Sequence, residues 1–209
     1  MQKLIYDFVG TSGCGKTTIM KDIMPLFGAM GRTVNIVESS SRTMLKKFDL
    51  KLYDKTGDFV QSFISLLNWS AIFESLMKYD VTLCTDLGIR SLAYTMFSPN
   101  NHEETVQAHR WVVEFFNSHL FGAEIQPFWV YLPLEIEMDV NDEDKHRGFV
   151  SLETHRAVDK LVKFSLDSLN VPYFVLTGDK KERLNKMANM IHRFDGLLNQ
   201  VHCQGGKPL

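Results

Sequence analysis

Short apolar runs alternate along this chain with longer segments in which apolar residues recur every three or four positions. The short runs predict strands at residues 4–9, 33–38, 80–86, 125–132 and 173–177. The longer segments predict helices at residues 16–30, 58–79, 90–97, 102–121, 151–170 and 180–200. Because strands that alternate with helices pair in parallel through crossover connections, the pattern predicts an α/β fold, a three-layer sandwich around a five-stranded parallel sheet.

Two segments depart from this alternation. Residues 39–57, which follow the second predicted strand, are polar and basic, and we expect them to face a substrate. Residues 134–148 hold a run of acids followed by Lys145, His146 and Arg147, which is too charged for a core, and we expect a mobile lid there. For both segments the alternative is a solvated surface loop.

Length and composition indicate a single domain over residues 1–200, followed by a disordered tail at 201–209. Hydrophobic residues make up 44% of the chain, enough for a packed core, and the net charge of −2 offers no general attraction to nucleic acid or membranes. The three cysteines lack the spacing of a zinc site, and no apolar run approaches the roughly 18 residues of a membrane span. We therefore expect a cytoplasmic protein without a membrane partner, and a homodimer is left open.

The strongest chemical signal directly follows the first predicted strand. GTSGCGKTT, at residues 10–18, matches the phosphate-binding pattern G-x-x-x-x-G-K-[ST] between a strand and a helix. Its glycines allow a backbone on which successive N–H groups converge on phosphate oxygens, while Lys16 supplies charge for the β- and γ-phosphates and the Thr17 hydroxyl can ligate Mg²⁺. The predicted nucleotide-binding residues are Gly10, Thr11, Ser12, Gly13, Cys14, Gly15, Lys16, Thr17 and Thr18. The chain has no N-K-x-D segment, which argues against GTP.

Charged residues at the ends of two further strands extend the candidate site. Asp86 ends an apolar strand, where it could hold the Mg²⁺–water shell or act as a base; the alternative is a cap for the next helix. Arg90 follows in the same loop and is predicted to neutralise charge on a transferring or acceptor phosphate, unless it is an ordinary surface arginine. Glu38 ends the second strand, and a carboxylate there can take the proton of a hydroxyl acceptor, whereas a phosphate acceptor requires no base. Its alternative is a strand-end acid paired with Arg42.

Three more arginines in the second half of the chain have different expected roles. Arg147, in the expected lid, could close over the β- and γ-phosphates and stabilise the developing charge. Arg156 and Arg183 lie on predicted helices, and we expect them to be solvated or paired with neighbouring acids such as Asp159 and Glu182.

The order of these motifs resembles the P-loop kinases of nucleosides and nucleotides, and within them the small AAA-type ATPase/kinase family of bacteriophages that is related to thymidylate kinases. The segments that carry the resemblance are GTSGCGKTT, VESSSR, DFVQSFI, TDLGIRSLAY, DKHRG and LNVPYFVLTGDKKERL. The resemblance implies ATP and Mg²⁺ as cofactors, and a base role for Glu38. It implies phosphate, metal and transfer roles for Lys16, Thr17, Asp86, Arg90 and Arg147, with Thr17 and Asp86 at the metal.

Two departures from the family pattern are visible. Thymidylate kinases usually carry an acid–arginine pair after the third strand, whereas here three residues separate Asp86 from Arg90. Ser39 also stands where a proline commonly follows the strand-two acid.

The same phage family is similar to kinases that phosphorylate 5-hydroxymethyluracil already incorporated in viral DNA. Such a substrate offers a hydroxyl, in agreement with Glu38 as base and with the basic segment 39–57 as a DNA-facing patch. The sequence therefore predicts an ATP-dependent kinase acting on a nucleotide-class substrate, with hydroxymethylated DNA as the first candidate. A thymidylate-like deoxynucleoside monophosphate kinase and a P-loop ATPase without a small acceptor are the alternatives.

Overall fold

The computed structural model describes residues 2–47, 49, 57–98, 103–115, 125–135 and 151–203. Within them the strands are β1 (Lys3–Val9), β2 (Val34–Val37), β3 (Val81–Cys84), β4 (Ile125–Tyr131) and β5 (Tyr173–Val175). The helices are α1 (Lys16–Ala29), α2 (Ser41–Lys47), α3 (Gly57–Lys78), α4 (Ile89–Phe97), α5 (Glu103–Phe115), α6 (Leu152–Ser168) and α7 (Lys180–Cys203). No described helix is both long enough and apolar enough to cross a membrane.

The strands form one sheet in the order β2-β3-β1-β4-β5, and every pairing is parallel. This arrangement confirms the predicted five-stranded parallel sheet. Because the strands are parallel, their carboxyl ends meet at one edge, and the loop after the central strand β1 lies between the connections that leave to either side. Ligands of such sheets bind at that edge, so the fold places the phosphate-loop sequence where a ligand is expected.

Both faces of the sheet are covered, as the alternation in β1 shows. Leu4, Tyr6 and Phe8 pack into a core shared with α1 and α7, whereas Ile5 and Val9 belong to a second core that includes residues of α3, α4 and α6. A central parallel strand is buried on both faces and is therefore apolar almost throughout. Asp7 is the exception, since it is fully buried on the same face as Ile5 and Val9.

The structure differs from the predicted elements in two places. Residues 41–47 of the predicted polar excursion form helix α2, which buries Met44 and begins after Ser39, whose hydroxyl accepts from the Ser41 amide. The last helix continues to Cys203, three residues beyond its predicted end. Helix α5 is described only to Phe115, and residues 136–150, which include most of the expected lid and Arg147, lie outside the described residues.

Candidate nucleotide-binding site

The loop between β1 and α1 has the backbone that its glycines predict. Gly10, Gly13 and Gly15 all have positive φ, at 151°, 81° and 94°. A side chain at Gly10 would bring its Cβ to 2.5 Å from the backbone oxygen of Leu132 and 2.8 Å from Cys14 Sγ. The end of β1 therefore passes so close to Leu132, which follows β4, that only glycine fits at the start of the loop.

Lys16 is the first residue of α1, and its side chain turns back into the loop. Although 93% of this residue is shielded from solvent, its ammonium is paired, since it donates to the carbonyls of Gly10, at 2.9 Å, and Thr11. Cys14 Sγ lies 3.4 Å from the same nitrogen, and Cys14 is buried, as expected of a small residue that fits the loop. The loop thus encloses a cation at the positive end of a helix, which favours a polyanion.

The remaining loop residues differ in exposure. Thr17 and Thr18, in the first turn of α1, are exposed, Ser12 is half-buried, and Thr11 is fully buried. An exposed hydroxyl next to Lys16 is the kind of hard oxygen ligand that Mg²⁺ prefers, so Thr17 suits the predicted metal role. The described residues contain no cluster of three or more acidic, histidine or cysteine side chains that could hold a metal by themselves.

Asp86 is buried and receives protein donors on both carboxylate oxygens. Oδ1 accepts from the amides of Gly88 and Ser91, at 3.3 and 3.2 Å. Oδ2 accepts from Ser91 Oγ at 2.6 Å, Asn68 Nδ2 at 3.2 Å and Arg90 Nη2 at 3.4 Å. Two of these donors are amides at the start of α4, so the carboxylate serves that helix as the capping alternative expects, although the N-cap residue itself is Gly88. The predicted metal and base roles stay predictions, and these five bonds argue against both, since a carboxylate that holds so many donors has little capacity for a metal or a proton.

Arg90 is buried, not a surface arginine. Its Nη2 donates to Ser39 Oγ at 2.6 Å as well as to Asp86. Asn68 of α3 extends the connection, because its Oδ1 accepts from the Ser40 amide at 2.8 Å while its Nδ2 reaches Asp86. Asp86, Arg90 and Asn68 thus tie the loop after β2 to the loop after β3. Asn68 is not among the residues predicted from the sequence, and the signal that could have marked it is a polar side chain at a buried position of α3.

Glu38 lies at the same sheet edge but is exposed. Its carboxylate pairs with Lys21 of α1 at 3.5 Å, and 62% of its side chain is accessible. The described contacts thus give Glu38 a partner on the helix that follows the phosphate loop. The side chain of Arg42, its predicted alternative partner, lies outside the described residues.

Two acids beside the loop were not identified as site residues from the sequence. Asp7 Oδ2 accepts from the Leu87 amide at 3.0 Å, and burial, followed by the charge of Asp86, raises the pKa of Asp7 to about 7. Asp159 of α6 accepts from Tyr131 Oη at 2.9 Å. Burial raises the pKa of Asp159, while the hydrogen bonds from Tyr131 and the Leu134 amide, and then the charge of Lys16, oppose that shift. Asp7 thus contacts the loop after β3, and Asp159 contacts the end of β4 and the Leu134 amide that follows it.

Arg183 corrects a prediction. It was expected to be solvated or paired with a neighbouring acid such as Glu182, yet it is only 2% exposed and the acid that it pairs with is Glu135, 48 positions away. Its Nη1 donates to the Cys14 carbonyl at 2.7 Å, and its Nη2 contacts the Pro133 carbonyl and Glu135 Oε2, both at 3.3 Å. The prediction failed because Arg183 lies in the first turn of α7, which packs beside α1 and so brings the guanidinium to the phosphate loop.

Comparison with solved structures places the fold among known enzymes. The chain superposes on NadR in complex with NR (TM-score 0.67, 14% identity), covering 93% of this chain and 52% of that one, so it spans about half of the NadR chain. It also matches a deoxyadenosine kinase from M. mycoides with bound dATP (0.57, 14%, 92% and 100% covered) and a thymidylate kinase from Ehrlichia chaffeensis (0.58, 14%, 93% and 99% covered). No protein-family model and no curated protein sequence matches the chain. The protein has the fold of the P-loop nucleoside and nucleotide kinases.

Proposed function

We propose that this protein is an ATP- and Mg²⁺-dependent kinase that transfers the γ-phosphoryl group to a hydroxyl of a nucleotide-type substrate. The observation that carries the proposal is the enclosed ammonium of Lys16, at the N-terminus of α1 and the carboxyl edge of the central strand. A triphosphate in the loop would meet this charge, the backbone amides and the exposed Thr17. Mg²⁺ held by Thr17 would neutralise charge on the phosphates.

The acceptor would approach from the β2 and β3 side of the loop. In the transfer the acceptor oxygen forms a bond to the γ-phosphorus, the bond to the bridging oxygen of the β-phosphate breaks, and the acceptor proton passes to a base. Of the two predicted bases, Glu38 is the better supported, because its carboxylate is exposed beside α1 while both oxygens of Asp86 are engaged. Only a hydroxyl acceptor requires a base. The presence of an exposed carboxylate at this edge therefore supports a hydroxyl acceptor over a phosphate.

The proposed acceptor is the hydroxymethyl group of 5-hydroxymethyluracil in DNA, from the resemblance to kinases of that substrate. Two of the neighbours support the wider nucleotide class, since their structures contain NR and dATP. Another neighbour, a shikimate kinase in complex with shikimate (TM-score 0.51, 18% identity), is a reason to test other alcohols.

A second candidate is a thymidylate-like kinase, whose acceptor is a phosphate. The observation that favours it is Arg90, a cation buried against Ser39 at the edge where an acceptor would lie. A guanidinium there would suit a phosphate oxygen. In that reaction no base is needed and Glu38 would be dispensable.

The test is to supply γ-³²P-labelled ATP and Mg²⁺ with separate acceptors: free nucleosides, nucleoside monophosphates, shikimate and duplex DNA containing 5-hydroxymethyluracil. We expect label on the modified DNA and none with the Lys16→Ala variant. Label on a monophosphate would favour the thymidylate-like alternative. Label on inorganic phosphate alone would refute the kinase proposal and leave an ATPase.

The base is tested by Glu38→Gln, with Glu74→Gln as the matched control. Glu74 is likewise exposed and paired with a lysine, Lys78, near the C-terminal end of α3, and it lines the same groove as Glu38, so it controls for the loss of a negative charge there. We expect the Glu38 variant to lose about 10²–10⁴ in the rate of transfer to a hydroxyl, and the Glu74 variant to keep the full rate. An unchanged rate in Glu38→Gln would rule out this residue as base.

A further inference from the structure

The guanidinium of Arg183 is deeply buried, and it donates to more backbone carbonyls than carboxylates. It is 2% exposed, and two of its three described partners are the carbonyls of Cys14 and Pro133. The bond to Cys14, at 2.7 Å, is the shortest of the three. Glu135 supplies one acidic partner for this buried cation, but the shortest bond is made to the backbone of the phosphate-binding loop, so the loop is the element that Arg183 contacts most closely.

We propose that Arg183 is a positioning residue for the phosphate-binding loop, which it holds in the form that accepts a triphosphate. The proposal rests on the proposed function, in that it takes the loop to be the nucleotide site. Arg183 acts through the peptide unit between Cys14 and Gly15. It does not itself need to touch the nucleotide.

The geometry of the peptide group explains the effect. A trans peptide is planar, and its C=O and N–H point in opposite directions. No cis peptide bond occurs in the described residues. When the Cys14 carbonyl is held towards Arg183, the Gly15 N–H of the same peptide unit faces away from Arg183. In the proposed site that direction is the phosphate side of the loop. Gly15 has φ of 94° and lacks a side chain to limit its conformations, so an outside contact is needed to select this one.

Arg183 is itself held rigidly by the start of α7. Asp179 and Glu182 form a reciprocal cap, in which the Glu182 amide donates to Asp179 Oδ1 at 2.8 Å and the Asp179 amide donates to Glu182 Oε2 at 3.1 Å. Glu135 Oε2 accepts from the Gly178 amide at 2.7 Å as well as contacting Arg183. The loop after β4 and the loop after β5 thus hold the guanidinium in place against Cys14.

The experiment compares Arg183→Met and Arg183→Lys with Arg32→Met. Arg32 is a matched control, because it is also a buried arginine but follows the other end of α1, about 20 Å from the loop by the rise of a 14-residue helix. Calorimetric titrations would measure the Kd of Mg·ATP, of inorganic triphosphate with Mg²⁺, and of adenosine. Thermal melts without ligand would measure stability.

We expect Arg183→Met to raise the Kd of ATP and of inorganic triphosphate by the same factor, on the order of tenfold to a hundredfold, as for loss of a charged hydrogen bond. Adenosine affinity should not change. Arg183→Lys, which keeps one charged donor, should recover part of the loss. Arg32→Met should leave triphosphate affinity intact even if it lowers the melting temperature.

Three results would overturn the proposal. If Arg183→Met weakens the binding of ATP but not that of inorganic triphosphate, Arg183 serves the binding of the adenine and does not act through the loop. If Arg32→Met weakens triphosphate as much, the effect is general destabilisation. If the native protein binds no triphosphate, this proposal and the proposed function fail together, whereas triphosphate binding without phosphoryl transfer to any acceptor would refute the function alone.

Discussion

Asp7→Asn is the substitution whose effect on stability the structure defines best. Asp7 is fully buried in the central strand, where its carboxyl accepts from the Leu87 amide and faces the thiol of Cys84 at 3.6 Å. Burial and the charge of Asp86 raise its pKa from 3.8 to about 7. Asparagine has nearly the same shape and can still accept from the Leu87 amide, but it does not titrate.

The sign and the size of the effect follow from linkage. Because the pKa is higher in the folded state, the folded protein binds the proton more tightly, and the stabilisation is fully present below pH 3.8 and is lost as the pH rises through about 7. A shift of this size corresponds to about 4 kcal/mol over the whole range. Between pH 5 and pH 8 the loss is roughly 2.5 kcal/mol, because about a third of the change lies below pH 5.

Urea denaturation of both proteins from pH 5 to pH 8 would measure this effect. We expect the wild-type free energy of unfolding to fall relative to that of Asp7→Asn by roughly 2.5 kcal/mol across this interval, so that the variant gains most above pH 7. Asp80→Asn is the control. Its hydrogen bonds with Thr33 lower the pKa of Asp80, so its contribution is present above pH 3.8, is lost only in acid, and should stay constant between pH 5 and 8. If the difference in free energy of unfolding between wild type and Asp7→Asn is equally constant from pH 5 to pH 8, the raised pKa of the buried Asp7 is refuted.

Two further substitutions test the packing of the site. Ser91→Ala removes the 2.6 Å bond to Asp86 and should lower the free energy of unfolding, measured by urea denaturation, by roughly 1.5–3 kcal/mol. The control Thr95→Ser keeps its hydroxyl and should stay close to wild type. A cost near zero for Ser91→Ala would mean that the other donors to Asp86 suffice. Gly10→Ala places a Cβ at 2.5 Å from the Leu132 oxygen and should cost roughly 1–3 kcal/mol and weaken triphosphate binding, measured by titration. Unchanged binding would contradict the close approach of the loop and β4.

Much of the fold could be predicted from the sequence because the signals are local. The apolar runs matched all five strands, since parallel strands buried on both faces are apolar nearly throughout. The phosphate loop was recognisable for the same reason, as its glycines and Lys16 act through the backbone of nine consecutive residues. Helix α2 was not predicted, because the contacts seen there, a hydrogen bond from the Ser41 amide to Ser39 and the burial of Met44, leave no distinct pattern in a polar and basic segment.

The partners of charged side chains could not be predicted, because they come from segments distant in the sequence. Glu38 pairs with Lys21, Asp86 receives Asn68 from α3, and Arg90 reaches Ser39 across 51 positions. The local pattern around Arg183 suggested a solvated arginine, but its main partner, Cys14, is 169 positions away.

The sequence by itself determined the class of fold and the identity of the loop that would hold a triphosphate. Only the tertiary structure decided which charges serve that loop. In the folded protein both oxygens of Asp86 accept hydrogen bonds, Glu38 is exposed and Asp7 is buried. Arg183 donates to the Cys14 carbonyl of the loop. The reason is physical: backbone conformation and hydrophobic period are properties of neighbouring residues, whereas the burial and pairing of a charge depend on which elements pack together around it.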